Sequence, residues 1–184
     1  MRFAMMSDTH YISRRMIADE TDKELMLQPA VTEAAVLQAS KDCDVLFIVG
    51  DLTDSGDSFS HEDFSAFLSK VKQGGTKIYV VFATHDFHHH KAYVRKYGEK
   101  TEYKCHPWNS PWFDIEKADW RKLAKDEFSS LPIEDLVPGL VPALSPEEVW
   151  KIYRDFGPNE AYSVHESSFS YCLDLDEKTR CLML

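Results

Sequence analysis

Long hydrophobic runs are missing from this 184-residue chain. No stretch approaches the roughly 20 consecutive apolar residues that a membrane-spanning helix needs. The N-terminus also lacks the apolar segment of a secretion signal, because the first predicted strand already begins at Phe3. We therefore expect a protein with no membrane span.

Cysteine is scarce, and none of the four cysteines stands in C-x-x-C spacing: they are Cys43, Cys105, Cys172 and Cys181. This spacing argues against a structural zinc knuckle or a dithiol redox motif. A chain of this length can bury a core without disulfide bonds. We therefore expect reduced thiols and a cytoplasmic location.

Basic residues are too few to balance the acidic ones. The chain has 21 Lys and Arg against 31 Asp and Glu, which gives a formal net charge of −10. General binding of nucleic acid depends on basic side chains that neutralise phosphates, so we do not expect it here. A cluster of metal-binding carboxylates would account for part of the acidity.

The first ninety residues predict a strand–helix–strand–helix–strand unit. The apolar runs 3–6, 45–49 and 78–82 are nearly continuous, which is typical of parallel strands covered on both faces. The second helix is predicted to start at Ser60, with Asp63 completing a cap, and to end at the glycine pair 74–75. In such sheets, ligands bind beyond the carboxyl ends of the strands.

The character of the chain changes between residues 88 and 160. This segment holds seven of the eight prolines and all four tryptophans: Trp108, Trp112, Trp120 and Trp150. We interpret 1–184 as a single domain in which 88–160 is an insert or cap over the active end of the sheet.

Residues 169–175 alternate between apolar and polar, which predicts a strand, and 180–184 begin another strand after a turn. Natural domains seldom end within an apolar strand, so we expect further chain after Leu184. The same strand is a candidate site of pairing between two copies of the chain.

Each of the three predicted parallel strands is followed by a short polar cluster. The clusters contain Asp8 with His10, then Asp51, then His85 with Asp86. In extended backbone, residues two apart point the same way, so Asp8 and His10 can converge on one ion. Carboxylates and imidazoles gathered at one end of a sheet predict a metal site for phosphate chemistry. His85 is suited to proton transfer, and Asp86 can set its tautomer.

These clusters resemble the motifs of the calcineurin-like metallophosphoesterases, which read D-x-H, then G-D-x-x followed by D or another residue, and G-N-H followed by D or E. The resemblance implies an α/β fold: a β-sandwich flanked by helices, here incomplete at the C-terminus. It also implies two divalent ions (Mn, Fe or Zn) and hydrolysis of phosphate mono- or diesters. By this resemblance Asp8 and His10 bind the first metal and Asp51 bridges both, while His85, oriented by Asp86, is the catalytic imidazole.

Two departures from the family pattern leave alternatives open. Thr84 stands where the family has an Asn that binds the second metal, and its hydroxyl is a shorter and poorer ligand. The family's later G-H-x-H motif is absent, since the histidines after residue 90 are only His106 and His165. With these ligands missing, the chain binds only one ion, or a partner chain supplies the ligands that are missing. Alternatively, it is a truncated or non-catalytic module that binds phosphate or protein.

Two further sets of polar residues belong either to the site or to the protein surface. Asp54 is either a ligand or a solvated turn carboxylate. The histidine run 88–90 is either a surface loop or a segment with one side chain at the mouth of the site, because adjacent residues do not face one ion.

Overall fold

The computed structural model describes residues 1–16, 23–87, 92–93, 140–141, 144–165 and 168–184. Within these ranges, no helix is long and apolar enough to cross a membrane. Most of the predicted insert lies outside the described residues, and with it Trp108, Trp112, Trp120, His106 and the histidine run 88–90.

A parallel sheet forms the first half of the fold. It consists of β1 (Phe3–Ser7), β2 (Val45–Val49) and β3 (Lys77–Val81), in the order β1-β2-β3. Two helices, α1 (Lys23–Asp42) and α2 (Ser58–Gln73), connect them. The predicted strand–helix–strand–helix–strand unit is confirmed, with strand ends within one residue of the apolar runs.

The start of α2 differs from the sequence-based prediction. The helix is capped by Asp57, whose side chain accepts the Ser60 backbone N–H at 2.8 Å. The Ser60 hydroxyl instead accepts the backbone N–H of Ser13 at 3.0 Å, and the Asp63 carboxylate bonds Arg15. The predicted cap residues thus make tertiary contacts, which a local capping rule cannot foresee.

The second half of the described chain supplies a short helix and an antiparallel sheet. Two-residue strands β4 (Ala92–Tyr93) and β5 (Leu140–Val141) pair with each other, and α3 (Pro146–Tyr153) is capped by the Ser145 side chain. Strands β6 (Ser163–His165), β7 (Ser170–Asp176) and β8 (Thr179–Met183) form the second sheet. The predicted terminal hairpin corresponds to β7 and β8.

Strands β2 and β3 of the parallel sheet are covered on both faces, whereas Phe3 and Met5 of β1 are exposed. On one face, the helices pack against it through Leu46, Ile48, Ile78, Phe64, Leu68 and Tyr153. On the other face lies the antiparallel sheet, and the contact consists of Val45, Phe47, Tyr79, Tyr171, Leu173 and Met183. Two facing sheets with helices outside give the predicted α/β sandwich, and burial on both faces explains the nearly continuous apolar runs of β2 and β3.

Tyr171 joins the two sheets. Its hydroxyl donates to the carbonyl of Val80 at 2.6 Å and also lies 3.3 Å from that of Phe156. The ring can occupy this position because Gly157 has no side chain. A Cβ at Gly157 would lie 2.3 Å from the Tyr171 hydroxyl oxygen.

We expect Gly157→Ala to destabilise the protein more than Gly75→Ala. Both glycines have a positive φ, 126° and 104°, but a Cβ at Gly75 would meet nothing within 4 Å. Gly75→Ala therefore reports the backbone strain alone, about 1–2 kcal/mol. Gly157→Ala adds overpacking against Tyr171, typically about 1–3 kcal/mol more. Urea unfolding of both variants checks this, and equal losses would mean that the Tyr171 ring moves aside without cost.

Candidate metal centre

The three polar clusters meet at the carboxyl edge of the parallel sheet. Backbone hydrogen bonds extend the strand pairing into the loops. The Asp8 N–H donates to the Gly50 carbonyl at 3.1 Å, and the His10 N–H donates to the Asp51 carbonyl at 2.9 Å. Gly50 in turn donates to Val81 at 2.8 Å. The loops after β1 and β2 are therefore held together by the same kind of bond that builds the sheet.

The backbone of the site is strained. Asp8, His10 and Asp51 have positive φ angles of 52°, 41° and 46°. Such left-handed conformations cost a residue with a side chain roughly 1–2 kcal/mol and concentrate at functional sites. Asp8 and His10 thus come together through left-handed turns, and not through the extended backbone that the sequence argument assumed.

Two overlapping groups of candidate ligands share His10. In the first group, Asp8, His10 and Asp51 have ligand atoms that all lie within 4.8 Å of one another. The second group, within the same distance, consists of His10, Asp54 and His85. Carboxylate oxygens and imidazole nitrogens are the donors that Mn, Fe and Zn ions accept, so this set fits a divalent ion.

The His10 ring lies between two carboxylates. Its Nε2 is 3.9 Å from Asp51 Oδ2, and its Nδ1 is 3.7 Å from Asp54 Oδ1. A histidine that binds a metal through one nitrogen usually gives the other to a carboxylate, which fixes the ring. The structure thus places Asp54, which the sequence left open, beside the second nitrogen of His10.

His85 is tied to the same loop. Its backbone N–H donates to Asp51 Oδ1 at 2.9 Å, and its Nδ1 is 2.7 Å from the Asp54 carbonyl oxygen. A carbonyl oxygen only accepts, so this contact assigns the ring proton to Nδ1 and the lone pair of the neutral ring to Nε2. The His85 and His10 rings are edge-to-face, with centroids 4.6 Å apart.

Asp86 is placed differently from the sequence-based prediction. Its carboxylate is fully buried and accepts the backbone N–H groups of Thr53 at 2.9 Å and Ala83 at 3.0 Å. The His85 ring is held by the Asp54 carbonyl instead. Within the short 3-10 turn Thr84–Asp86, successive side chains point in different directions. The ring of His85 therefore faces the site while Asp86 points inward, and Thr84 is exposed at the start of the turn.

A buried histidine behind the site went unnoticed in the sequence. His61 in α2 is fully buried, with Nε2 2.9 Å from the Asp86 carbonyl oxygen and Nδ1 3.2 Å from the Tyr153 hydroxyl. Its burial could have been predicted from its spacing, because His61 lies one turn before Phe64 on the apolar face of α2. A polar residue in line with such a face needs a buried partner.

Burial shifts the pKa values of both groups away from the charged form. It lowers the pKa of His61 to about 4 from 6.5. It raises the pKa of Asp86 to about 7 from 3.8, although the backbone N–H bonds oppose the shift. His61 is therefore a neutral imidazole at pH 7.

We expect replacement of His61 by Gln to change how stability depends on pH. Between pH 6.5 and about 4, the unfolded chain protonates His61 and the folded protein does not, so this group lowers stability as the pH falls. Asp86 acts in the opposite direction between pH 3.8 and about 7, and the two effects offset each other in the wild type. Removing His61 leaves the contribution of Asp86.

The stability of His61→Gln should therefore rise relative to that of the wild type as the pH falls, by up to about 1.4 kcal/mol per pH unit. Urea unfolding at pH 4.5, 5.5 and 6.5 measures both proteins. Parallel stability profiles would show that His61 titrates alike in the folded and unfolded states.

Comparison with known proteins identifies the family. No curated protein matches the chain. The family model of the calcineurin-like phosphoesterases matches residues 1–177, so it spans the three clusters, the segment 88–160 and most of the second sheet. The chain belongs to the calcineurin-like phosphoesterase family.

Proposed function

We propose that this protein is a metal-dependent hydrolase of phosphate mono- or diesters. The observation that supports it most is the convergence of Asp8, His10 and Asp51 at the carboxyl edge of the sheet, with His85 bonded to the same Asp51. The family to which the chain belongs generally hydrolyses phosphoesters.

We propose the ligand roles that the family resemblance implies, and the proximity of the side chains supports them. Asp8 and His10 would hold a first divalent ion, Mn, Fe or Zn, and Asp51 would bridge it to a second in a dinuclear site. Asp54 would fix the His10 ring through its second nitrogen. When bound, such ions lower the pKa of water and neutralise charge on the phosphoryl oxygens.

His85 is the proposed catalytic imidazole. The Asp54 carbonyl holds its Nδ1–H, so the ring presents Nε2 for proton transfer. A ring protonated at Nε2 can give that proton to a leaving alkoxide. Asp86 would act as a positioning residue, because its carboxylate ties the loop that carries Asp51 to the turn that carries His85.

The proposal also covers the domain organisation of the chain, its pairing with a second copy and its location. Residues 1–184 would form one domain, and the segment 88–160 would act as a cap that shapes access for the phosphate ester. Pairing of two copies would use β8, where Leu182 is 62 % exposed. The cytoplasmic location stays a prediction; among the described cysteines, Cys43, Cys172 and Cys181 are free thiols.

A second candidate function is a non-catalytic module that binds phosphate or protein. The supporting observation is Thr84, an exposed hydroxyl where the family pattern has an amide ligand for the second metal. Asp8, His10 and Asp51 would then hold one ion or none. The two candidates differ in how many ions bind and in whether the bound ions support turnover.

We expect Asp51→Asn to abolish metal-dependent activity, because the change removes the charge that both ions would share. Hydrolysis of p-nitrophenyl phosphate and its bis ester with Mn²⁺ should fall by at least about 100-fold, as when a key electrostatic group is removed from an active site. Plasma mass spectrometry after Mn²⁺ loading and desalting should show metal loss.

The matched control for Asp51→Asn is Asp42→Asn, the same chemical change at the exposed last residue of α1. This variant should keep wild-type metal content and activity. An Asp51→Asn protein as active as the wild type would remove Asp51 from the site. A wild type that binds metal but hydrolyses neither ester would favour the binding module.

We expect Thr84→Asn to increase the number of tightly bound Mn²⁺ ions, because an amide oxygen reaches further than the Thr hydroxyl and is a better ligand. Thr84→Val is the control, since it removes the hydroxyl with little change in shape. Isothermal titration with Mn²⁺ compares the three proteins. Unchanged binding in Thr84→Asn would show that position 84 does not face a metal.

A further inference from the structure

We propose that His61 is a positioning residue for the reaction: by bonding the Asp86 carbonyl, it fixes the turn that presents His85 to the metal centre. This inference rests on the proposed function. It concerns a buried side chain in α2 that bonds Asp86, the residue after His85.

The contacts of His61 assign its tautomer. The Asp86 carbonyl oxygen, 2.9 Å from Nε2, can only accept, so Nε2 carries the proton. Nδ1 is then an acceptor, and the Tyr153 hydroxyl at 3.2 Å donates to it. The Thr53 hydroxyl oxygen, 3.3 Å from Nε2, is a second neighbour of the same N–H. The ring therefore donates through Nε2 to Asp86 and accepts through Nδ1 on the side of Tyr153.

The hydrogen bond from His61 also helps to hold Asp86 in place. The two carboxylate oxygens of Asp86 are held by Thr53 and Ala83, and His61 holds its carbonyl. His85 is the preceding residue, and its own N–H is bonded to Asp51. A shift of the Asp86 carbonyl would therefore move the His85 backbone relative to the proposed bridging carboxylate.

The rival role for His61 is simple core packing between α2 and α3. Its ring meets Tyr153 edge-to-face, with centroids 5.5 Å apart, and both residues are fully buried. The two roles use opposite sides of the ring. Positioning of the His85 turn depends on the hydrogen bond from Nε2–H to Asp86. Core packing depends on the contact of the ring with Tyr153 as well.

The test compares His61→Gln, His61→Asn and Tyr153→Phe in the full chain. A Gln amide nitrogen reaches the position of Nε2 and can donate to Asp86, whereas the shorter Asn reaches only the position of Nδ1. Tyr153→Phe removes the hydroxyl on the Nδ1 side and leaves the Asp86 contact. The measurements are kcat and KM for p-nitrophenyl phosphate with Mn²⁺, Mn²⁺ affinity by titration, and urea unfolding.

We expect His61→Asn to lower kcat by about 10- to 100-fold, the range seen when a supporting hydrogen bond is removed from a metal site. KM should change little, and His61→Gln should recover most of kcat. Tyr153→Phe should lose stability but keep kcat. If kcat instead follows the loss of stability across all three variants, His61 only packs the core and the inference is wrong.

A readout that needs no turnover separates this inference from the proposed function. Nitrogen-detected NMR of the imidazole rings reports the His85 environment in the folded protein. His61→Asn should shift the His85 ring signals, and Tyr153→Phe should leave them in place, even if the wild type hydrolyses no ester. Unshifted His85 signals in a folded His61→Asn protein would overturn the inference. If His61→Asn does not fold, His61→Gln provides the test. Its amide can donate to Asp86 in place of Nε2–H, so the inference requires that its His85 signals match those of the wild type.

Discussion

The buried carboxylate of Asp86 is the interaction on which the rest of the site depends. It accepts one backbone N–H from the loop after β2 and one from the turn after β3, so those two segments keep a fixed separation. Burial of a carboxylate is unfavourable and raises the pKa of Asp86 to about 7, although the backbone N–H bonds oppose the shift. The cost falls between the two segments that carry Asp51 and His85, which are joined by a hydrogen bond of their own.

Much of the fold could be predicted because its causes are local. Apolar runs on parallel strands are nearly continuous when both faces are covered, and 45–49 shows this directly: all but its last residue are buried. The convergence of the clusters followed from topology, since the carboxyl ends of parallel strands share one edge. Strands β7 and β8 of the second sheet followed from the period-two pattern of 169–175 and the turn after it, whereas β6 was not predicted.

The predictions that differed from the structure depend on non-local contacts. Ser60 has the right type and spacing for a cap, but its hydroxyl is used by Ser13, so Asp57 takes the end of the helix. The sequence places Asp86 beside His85, yet a tight turn sends neighbouring side chains apart. Nothing in the sequence marks Asp8 or His10 as left-handed, because the cost is met by hydrogen bonds to a loop some forty residues away.

The arrangement of the site along the chain has a consequence for biosynthesis. Among the residues that the structure describes, the candidate ligands and their ties to one another fall between Asp8 and Asp86, so a ribosome delivers them before α3 and the antiparallel sheet. Parallel strands must close long loops before their contacts form, which makes this step slow. A divalent ion that binds only the closed arrangement favours it by mass action. An ion at the proposed site would thus link metal supply during translation to the yield of folded protein, apart from any part it plays in catalysis.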